Sequence, residues 1–68
     1  MVTVDAKGLS CPQPVMLARE ALKKHPGEQI QVLVDAAAPR DNVLRLAKGK
    51  KLSAVVEEND GVFTITIG

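Results

Sequence analysis

Cys11-Pro12-Gln13-Pro14-Val15-Met16-Leu17-Ala18-Arg19-Glu20-Ala21-Leu22-Lys23-Lys24 is the stretch on which the fold turns, because it reads as one helix, from Pro12 to about Lys24, set between two strands. Val15, Ala18 and Leu22 recur at helical spacing with Ala21 beside them, whereas Arg19, Glu20, Lys23 and Lys24 face water. Glu20 stands four residues before Lys24, the better orientation for an ion pair along a helix. His25-Pro26-Gly27 stops the helix, since proline cannot continue it and glycine supplies the turn. Upstream, Val2-Thr3-Val4-Asp5 alternates apolar and polar residues as a half-buried strand does, and Ala6-Lys7-Gly8-Leu9-Ser10 follows as a loop with Gly8 as its flexible point. Downstream, Gln29 to Asp35 is the next strand, in which Ile30, Val32 and Val34 alternate with Gln29, Gln31 and a less obliging Leu33.

The remainder repeats the pattern. After Ala36-Ala37-Ala38, Pro39 reads as a helix opener, with Asp41 in the first turn where a negative charge suits the dipole. Val43, Leu46 and Ala47 form the buried stripe of this second helix, Arg45 and Lys48 its wet side, and Gly49 closes it. Leu52 to Glu57 and Val62 to Ile67 read as a final strand pair joined by Glu58-Asn59-Asp60-Gly61, which has strong hairpin chemistry. Thr3 with Asp5, Gln29 with Gln31, and Thr64 with Thr66 each point one way, so one sheet face is expected to be polar and open. The expected fold class is an α+β two-layer sandwich, β-α-β-α-β-β, with a four-stranded mixed sheet and both helices packed on one face. Its first strand–helix–strand unit is expected to join parallel strands.

Composition bounds the function. A chain of 68 residues is expected to form a single domain over 1–68, and at this size only about 60% of the unfolded surface is buried. With no Trp, no Tyr and one Phe, the core must be built from Val, Leu, Ile and Ala. No apolar run approaches the ~20 residues of a membrane span, and the N-terminus lacks signal-peptide architecture. One cysteine excludes an internal disulfide framework, which suits a cytoplasmic location. A net charge of +1 with mixed signs supplies no strong attraction to nucleic acid or membrane.

Cys11-Pro12-Gln13-Pro14 carries the chemistry. The residue before a proline is pushed out of the helical region, and proline is favoured at the first helical position, which makes Cys11 the cap and Pro12 the first helical residue. Neither Pro12 nor Pro14 has a backbone N–H, so the donors of Gln13 and Val15 are the ones left for a thiolate. Helix N-termini are among the settings that bring cysteine pKa values from ~8.5 into the ~3.5–7.5 range. Alternatively Ser10 is the cap, with Gln13 reaching back to it, and Cys11 then lies in the first turn. Absent partners narrow the chemistry further. One cysteine cannot run an internal dithiol–disulfide cycle, and one Cys with one His cannot close a metal site. His25 lies a helix-length away and is a poor base for Cys11. What remains is a thiol that accepts a group, holds it and passes it on, with no cofactor and no metal.

The whole chain resembles the TusA/SirA-type sulfur carriers. The likeness rests on the opening strand ending in Asp5 and on Gly8-Leu9-Ser10-Cys11-Pro12-Gln13-Pro14 before a helix. It continues through Gly27-Glu28, Asp35 and the closing hairpin around Gly61. The resemblance implies that Cys11 carries a persulfide, received from a cysteine desulfurase or rhodanese-like donor and passed to a downstream acceptor protein. Pro12, Gln13, Pro14 and Gly8 would support it. Asp35-Ala36-Ala37-Ala38-Pro39-Arg40-Asp41-Asn42-Val43 looks closer to the YedF-like branch linked by name to selenium metabolism. Gln13 stands where tRNA-thiolating carriers of the family have an acidic residue.

Bland readings stand beside these. Free cysteine is often a small buried hydrophobe, and the alternative function is then a protein-binding or regulatory module with a structural cysteine. Gly8 serves foremost as a turn residue. Asp35, Arg40 and Asp41 read first as solvated loop and cap charges, and second as site residues, because ligands gather at the carboxyl ends of parallel strands. Lys48, Lys50 and Lys51 read first as a solvated helix end and second as a dock for an acidic partner. The open sheet face lacks stacking aromatics, which argues against direct nucleic-acid binding. A carrier that visits partners is expected to be a monomer.

Overall fold

The computed structural model of the chain describes residues 2–9 and 13–68. Six elements follow in order: β1 (Val2–Asp5), α1 (Gln13–Lys24), β2 (Ile30–Val34), α2 (Ala37–Gly49), β3 (Ala54–Asn59) and β4 (Val62–Ile67). The strands form one mixed sheet in the order β1-β2-β4-β3, with β1 parallel to β2 and both other pairings antiparallel. The expected two-layer sandwich is therefore the observed fold.

Register sorts the side chains as strand alternation requires. Val4 pairs with Val32, Val32 with Ile65, and Ile65 with Val56, a row crossing all four strands on the helix side. On the other side Thr3 pairs with Gln31, Gln31 with Thr66, and Thr66 with Val55. Ile30, Val32, Val34, Ile65 and Ile67 are wholly buried beneath Ala18 and Ala21 of α1 and Val43 and Ala47 of α2. α1 lies over β1 and β2, α2 over β3 and β4, and the helices touch one another. Small residues on the inward faces let both helices approach the sheet closely. Among the described residues no polar side chain is buried, so this core rests on aliphatic packing.

Several boundaries differ from expectation for physical reasons. α2 begins at Ala37, not Pro39, with Ala36 as an extended cap (φ −149°, ψ 159°). Pro39 is tolerated inside the first turn because its missing N–H would have had no helical partner, and its ring is buried. That shift carries Asp41 beyond the first turn, away from the dipole role expected of it. Gly49 is the last helical residue and is not the turn itself. Lys51 takes the left-handed conformation (φ 58°), with Lys51 N–H donating to Lys48 O at 3.0 Å and Leu52 N–H to Ala47 O at 2.9 Å. This is a Schellman closure with lysine where glycine is usual. It uses up Leu52, so β3 starts at Ala54 rather than Leu52 and extends to Asn59. The hairpin loop is thus only Asp60-Gly61, both with positive φ (53° and 81°), the type I′ geometry that matches strand twist. β2 is one residue shorter at each end than the expected Gln29 to Asp35.

Candidate functional site

The parallel pairing of β1 with β2 delivers both carboxyl ends to one edge of the sheet, the edge from which both helices start. Past β1 the chain keeps one more rung, as Ala6 N–H donates to Leu33 O at 2.8 Å while the Ala6 side chain is fully buried. Lys7 N–H then donates to the Asp5 carboxylate (Oδ1) at 3.1 Å, an aspartate turn that bends the chain off the sheet. Gly8 sits at φ +77°, where a side chain would strain the backbone although it would meet nothing within 4 Å. Its N–H donates to the Asp35 carboxylate (Oδ2) at 3.1 Å. Asp35 thus clasps the loop after β1 to the end of β2, and Leu9 N–H closes the turn on Ala6 O at 3.3 Å.

Beyond this loop the chain re-enters at Gln13, which is exposed, and Pro14, which is fully buried. Pro14 does more than trim donors from the first turn, since its ring anchors the start of α1 in the core. Leu9, Gln13, Met16, Leu17 and Glu20 line a shallow concavity of about 290 Å³. Met16 is 59% exposed and Leu17 36%, so this face of α1 offers apolar surface to solvent. Glu20 forms its charged end. The hydrogen bond from Lys24 Nζ, at 2.9 Å, and then the Lys24 charge hold the Glu20 carboxyl below its ordinary pKa. Sequence reasoning left Leu9, Met16 and Leu17 unassigned. The available signal was that Met16 and Leu17 are apolar yet fall off the stripe made by Val15, Ala18 and Leu22.

Of the residues singled out from sequence, Gly8 and Asp35 are joined directly, and Gln13 borders the groove beside them in the chain. Arg40 and Asp41 are engaged elsewhere. Arg40 Nε and Nη2 meet Asp41 Oδ1 at 3.0 and 2.9 Å, and the guanidinium lies 4.8 Å from the Phe63 ring centre. They sit at the same end of the sheet, because Phe63 pairs with Val34, but they brace α2 against β4. Cys11 and Pro12, with the cap expected at Cys11 or Ser10, lie outside the described residues. His25 is at the far end of α1, its Nδ1 3.0 Å from Glu28 Oε2. The larger concavity, about 990 Å³, is also at that far end, lined by residues such as Lys23, Lys50 and Gly68. Its size does not make it the chemical site, since no thiol lines it and the loop leading to Cys11 is at the other end.

The family model described as Sulfurtransferase TusA matches residues 2–68. The chain belongs to the TusA sulfurtransferase family. Membership gives it a sulfur-carrier or sulfurtransferase role that engages sulfur-donor and sulfur-acceptor proteins. A crystal structure of a SirA-like protein from Desulfitobacterium hafniense is 37% identical, covers 98% of this chain and 95% of its own, and superposes with a TM-score of 0.93. The TusA/SirA resemblance read over the whole chain and the expected fold agree with both. No helix among the described residues is long and apolar enough to cross a membrane.

Proposed function

We propose that this chain, acting as one carrier domain, accepts sulfane sulfur as a persulfide on Cys11 and relays it to an acceptor protein. The Cys11 thiolate attacks the outer sulfur of a donor persulfide on a cysteine desulfurase or rhodanese-like protein. A new S–S bond forms, the old one breaks, and its electron pair leaves with the donor thiolate. An acceptor thiolate then attacks the outer sulfur on Cys11, and the Cys11 thiolate is regenerated. Nothing is oxidised or reduced overall, so the cycle closes without a cofactor.

The observation that carries this reading is the setting on either side of Cys11. Gly8 is clasped by Asp35, and Leu9 and Gln13 open onto the apolar groove with Met16 and Leu17. A donor or acceptor bringing its own thiol to Cys11 would cover that groove, and exposed Met and Leu adapt well to more than one partner. Gly8, Pro12, Gln13 and Pro14 then serve as the frame of the cysteine. Asp35 holds the loop, and Arg40 and Asp41 contribute to the end of the sandwich without touching the clasp.

The test is intact-protein mass spectrometry after incubation with a cysteine desulfurase and cysteine. The native chain gains the mass of one sulfur atom, a reductant removes it, and Cys11→Ser gains nothing. Met16→Gln, which places a polar but uncharged side chain in the groove, slows acceptance roughly tenfold while iodoacetamide alkylates Cys11 at the native rate. Sulfur retained by Cys11→Ser would end the proposal.

A further inference from the structure

The far end of the sandwich holds a feature that sulfur transfer at Cys11 does not use. Arg19 and Lys23 of α1 and Lys50 and Lys51 after α2 line the concavity of about 990 Å³, with Leu22 and the 38% exposed Leu52 among them. Glu28 is the one acidic side chain in its lining, and it is already engaged with His25. Cations in the last turn of a helix answer its dipole, which accounts for Lys23, Lys24 and Lys48. Lys50 and Lys51, the cap and the residue after it, are favoured there too, but the dipole does not account for Arg19, more than a turn before the end of α1. The acidic residues are concentrated elsewhere, with Asp5, Asp35 and Asp41 at the end where the parallel strands finish and Asp60 in the hairpin at that same end. Lys7 and Arg40 share that end with them, each beside an aspartate, so the excess of cations lies at the concavity.

We propose that this concavity is a second docking site that takes an acidic peptide segment of a partner protein, one carrying aliphatic side chains among its carboxylates. Charge complementarity selects the carboxylates, and Leu22 with Leu52 supplies the contact for an aliphatic residue between them. Nucleic acid fits the same cations less well, because no Phe, Tyr or Trp lines the concavity to stack a base, and its one imidazole, His25, is engaged with Glu28. Occupation here leaves the opposite end of the molecule free, so a partner can hold the carrier while Cys11 exchanges sulfur. The site does not depend on the chemistry of Cys11.

The probe is a short fluorescein-labelled peptide of repeated Glu-Glu-Leu, followed by anisotropy and by amide shifts of the full chain. Shifts are expected at Arg19, Leu22, Lys23, Lys50 and Leu52, with none at Leu9 or Gln13. Lys23→Glu with Lys50→Glu weakens binding roughly tenfold, and Lys23→Gln with Lys50→Gln, a milder change for the fold, weakens it less. Alkylation of Cys11 is unchanged in all of them. Shifts centred on the Leu9–Met16 groove, or no binding at low salt, would overturn the proposal. So would tighter binding of single-stranded oligouridylate of equal charge at the same residues, which would make the occupant a nucleic acid.

Discussion

The Gly8–Asp35 clasp is a single hydrogen bond linking two strand ends, and its removal should separate two properties of the cysteine loop. Asp35→Ala deletes the acceptor of the Gly8 N–H. Hydrogen bonds to charged groups contribute about 1.5–3 kcal/mol, but this pair is solvent-exposed, and water replaces the lost acceptor. A loss of about 1 kcal/mol is the appropriate scale, equivalent to a roughly fivefold smaller population of the tethered loop. Transfer from a protein donor requires the loop in one pose, so acceptance should slow by up to about fivefold, orientation being the source of the rate. A small reagent needs no such pose. Removing a negative charge from the chain disfavours no thiolate, so iodoacetamide alkylation should not fall. Asp35→Asn keeps an acceptor oxygen and loses the charge; it should transfer sulfur nearly as the native chain does while alkylating like the alanine variant. Transfer by stopped mass spectrometry, alkylation by loss of free thiol, and exchange of the Gly8 amide read the three terms. Equal transfer rates in Asp35→Ala and the native chain, with faster Gly8 amide exchange, would refute the view that the clasp presents the cysteine.

Two further predictions concern stability. Lys51→Gly relieves a left-handed conformation that costs an L-residue roughly 1–2 kcal/mol, offset by about 0.5–1 kcal/mol of added freedom in the unfolded chain; denaturant midpoints should rise, with a net gain of up to about 1 kcal/mol, whereas Gly49→Ala, at a helical position with open space, should not lower them. For Glu20, the folded pKa is depressed by Lys24, so its contribution is present above the unfolded glutamate pKa and is lost as pH falls through the folded one; Glu20→Gln should unfold earlier than the native chain at neutral pH, and the difference should vanish in acid titrations.

Much of this architecture was legible because the apolar period changes cleanly between strands and helices. Val2 to Asp5 and Ile30 to Val34 alternate, and Ala18 with Ala21 and Val43 with Ala47 mark the inner faces of the helices. What escaped was local competition. Leu52 looked like strand because it is apolar, yet its N–H closes α2 on Ala47 O. Gly49 looked like the helix stop because glycine so often is one, and a lysine two residues later takes the left-handed position. Pro39 looked like the first helical residue, but three alanines before it let the helix start earlier. The loop residues Gly8 and Asp35 could be suspected from sequence, but not their pairing, which depends on two strand ends lying side by side. The groove was missed because Met16 and Leu17 were not set against the buried stripe.

The balance of charge at the cysteine end bears on what a carrier needs. Accepting and donating sulfur are the same exchange run in opposite directions, so the proposed Cys11 must be both a good nucleophile and a good leaving group. A thiol with a very low pKa leaves well but attacks weakly, and the best attacking thiol has a pKa near ambient pH. A helix start pulls the pKa down. In the loop before Cys11, the N–H groups of Lys7 and Gly8 are taken up by the carboxylates of Asp5 and Asp35. Those two N–H groups are therefore not left as donors for a thiolate. A relay that must run both ways is served by a loop that keeps its own donors occupied, because each further donor to a thiolate lowers its pKa and makes it leave more readily but attack more weakly.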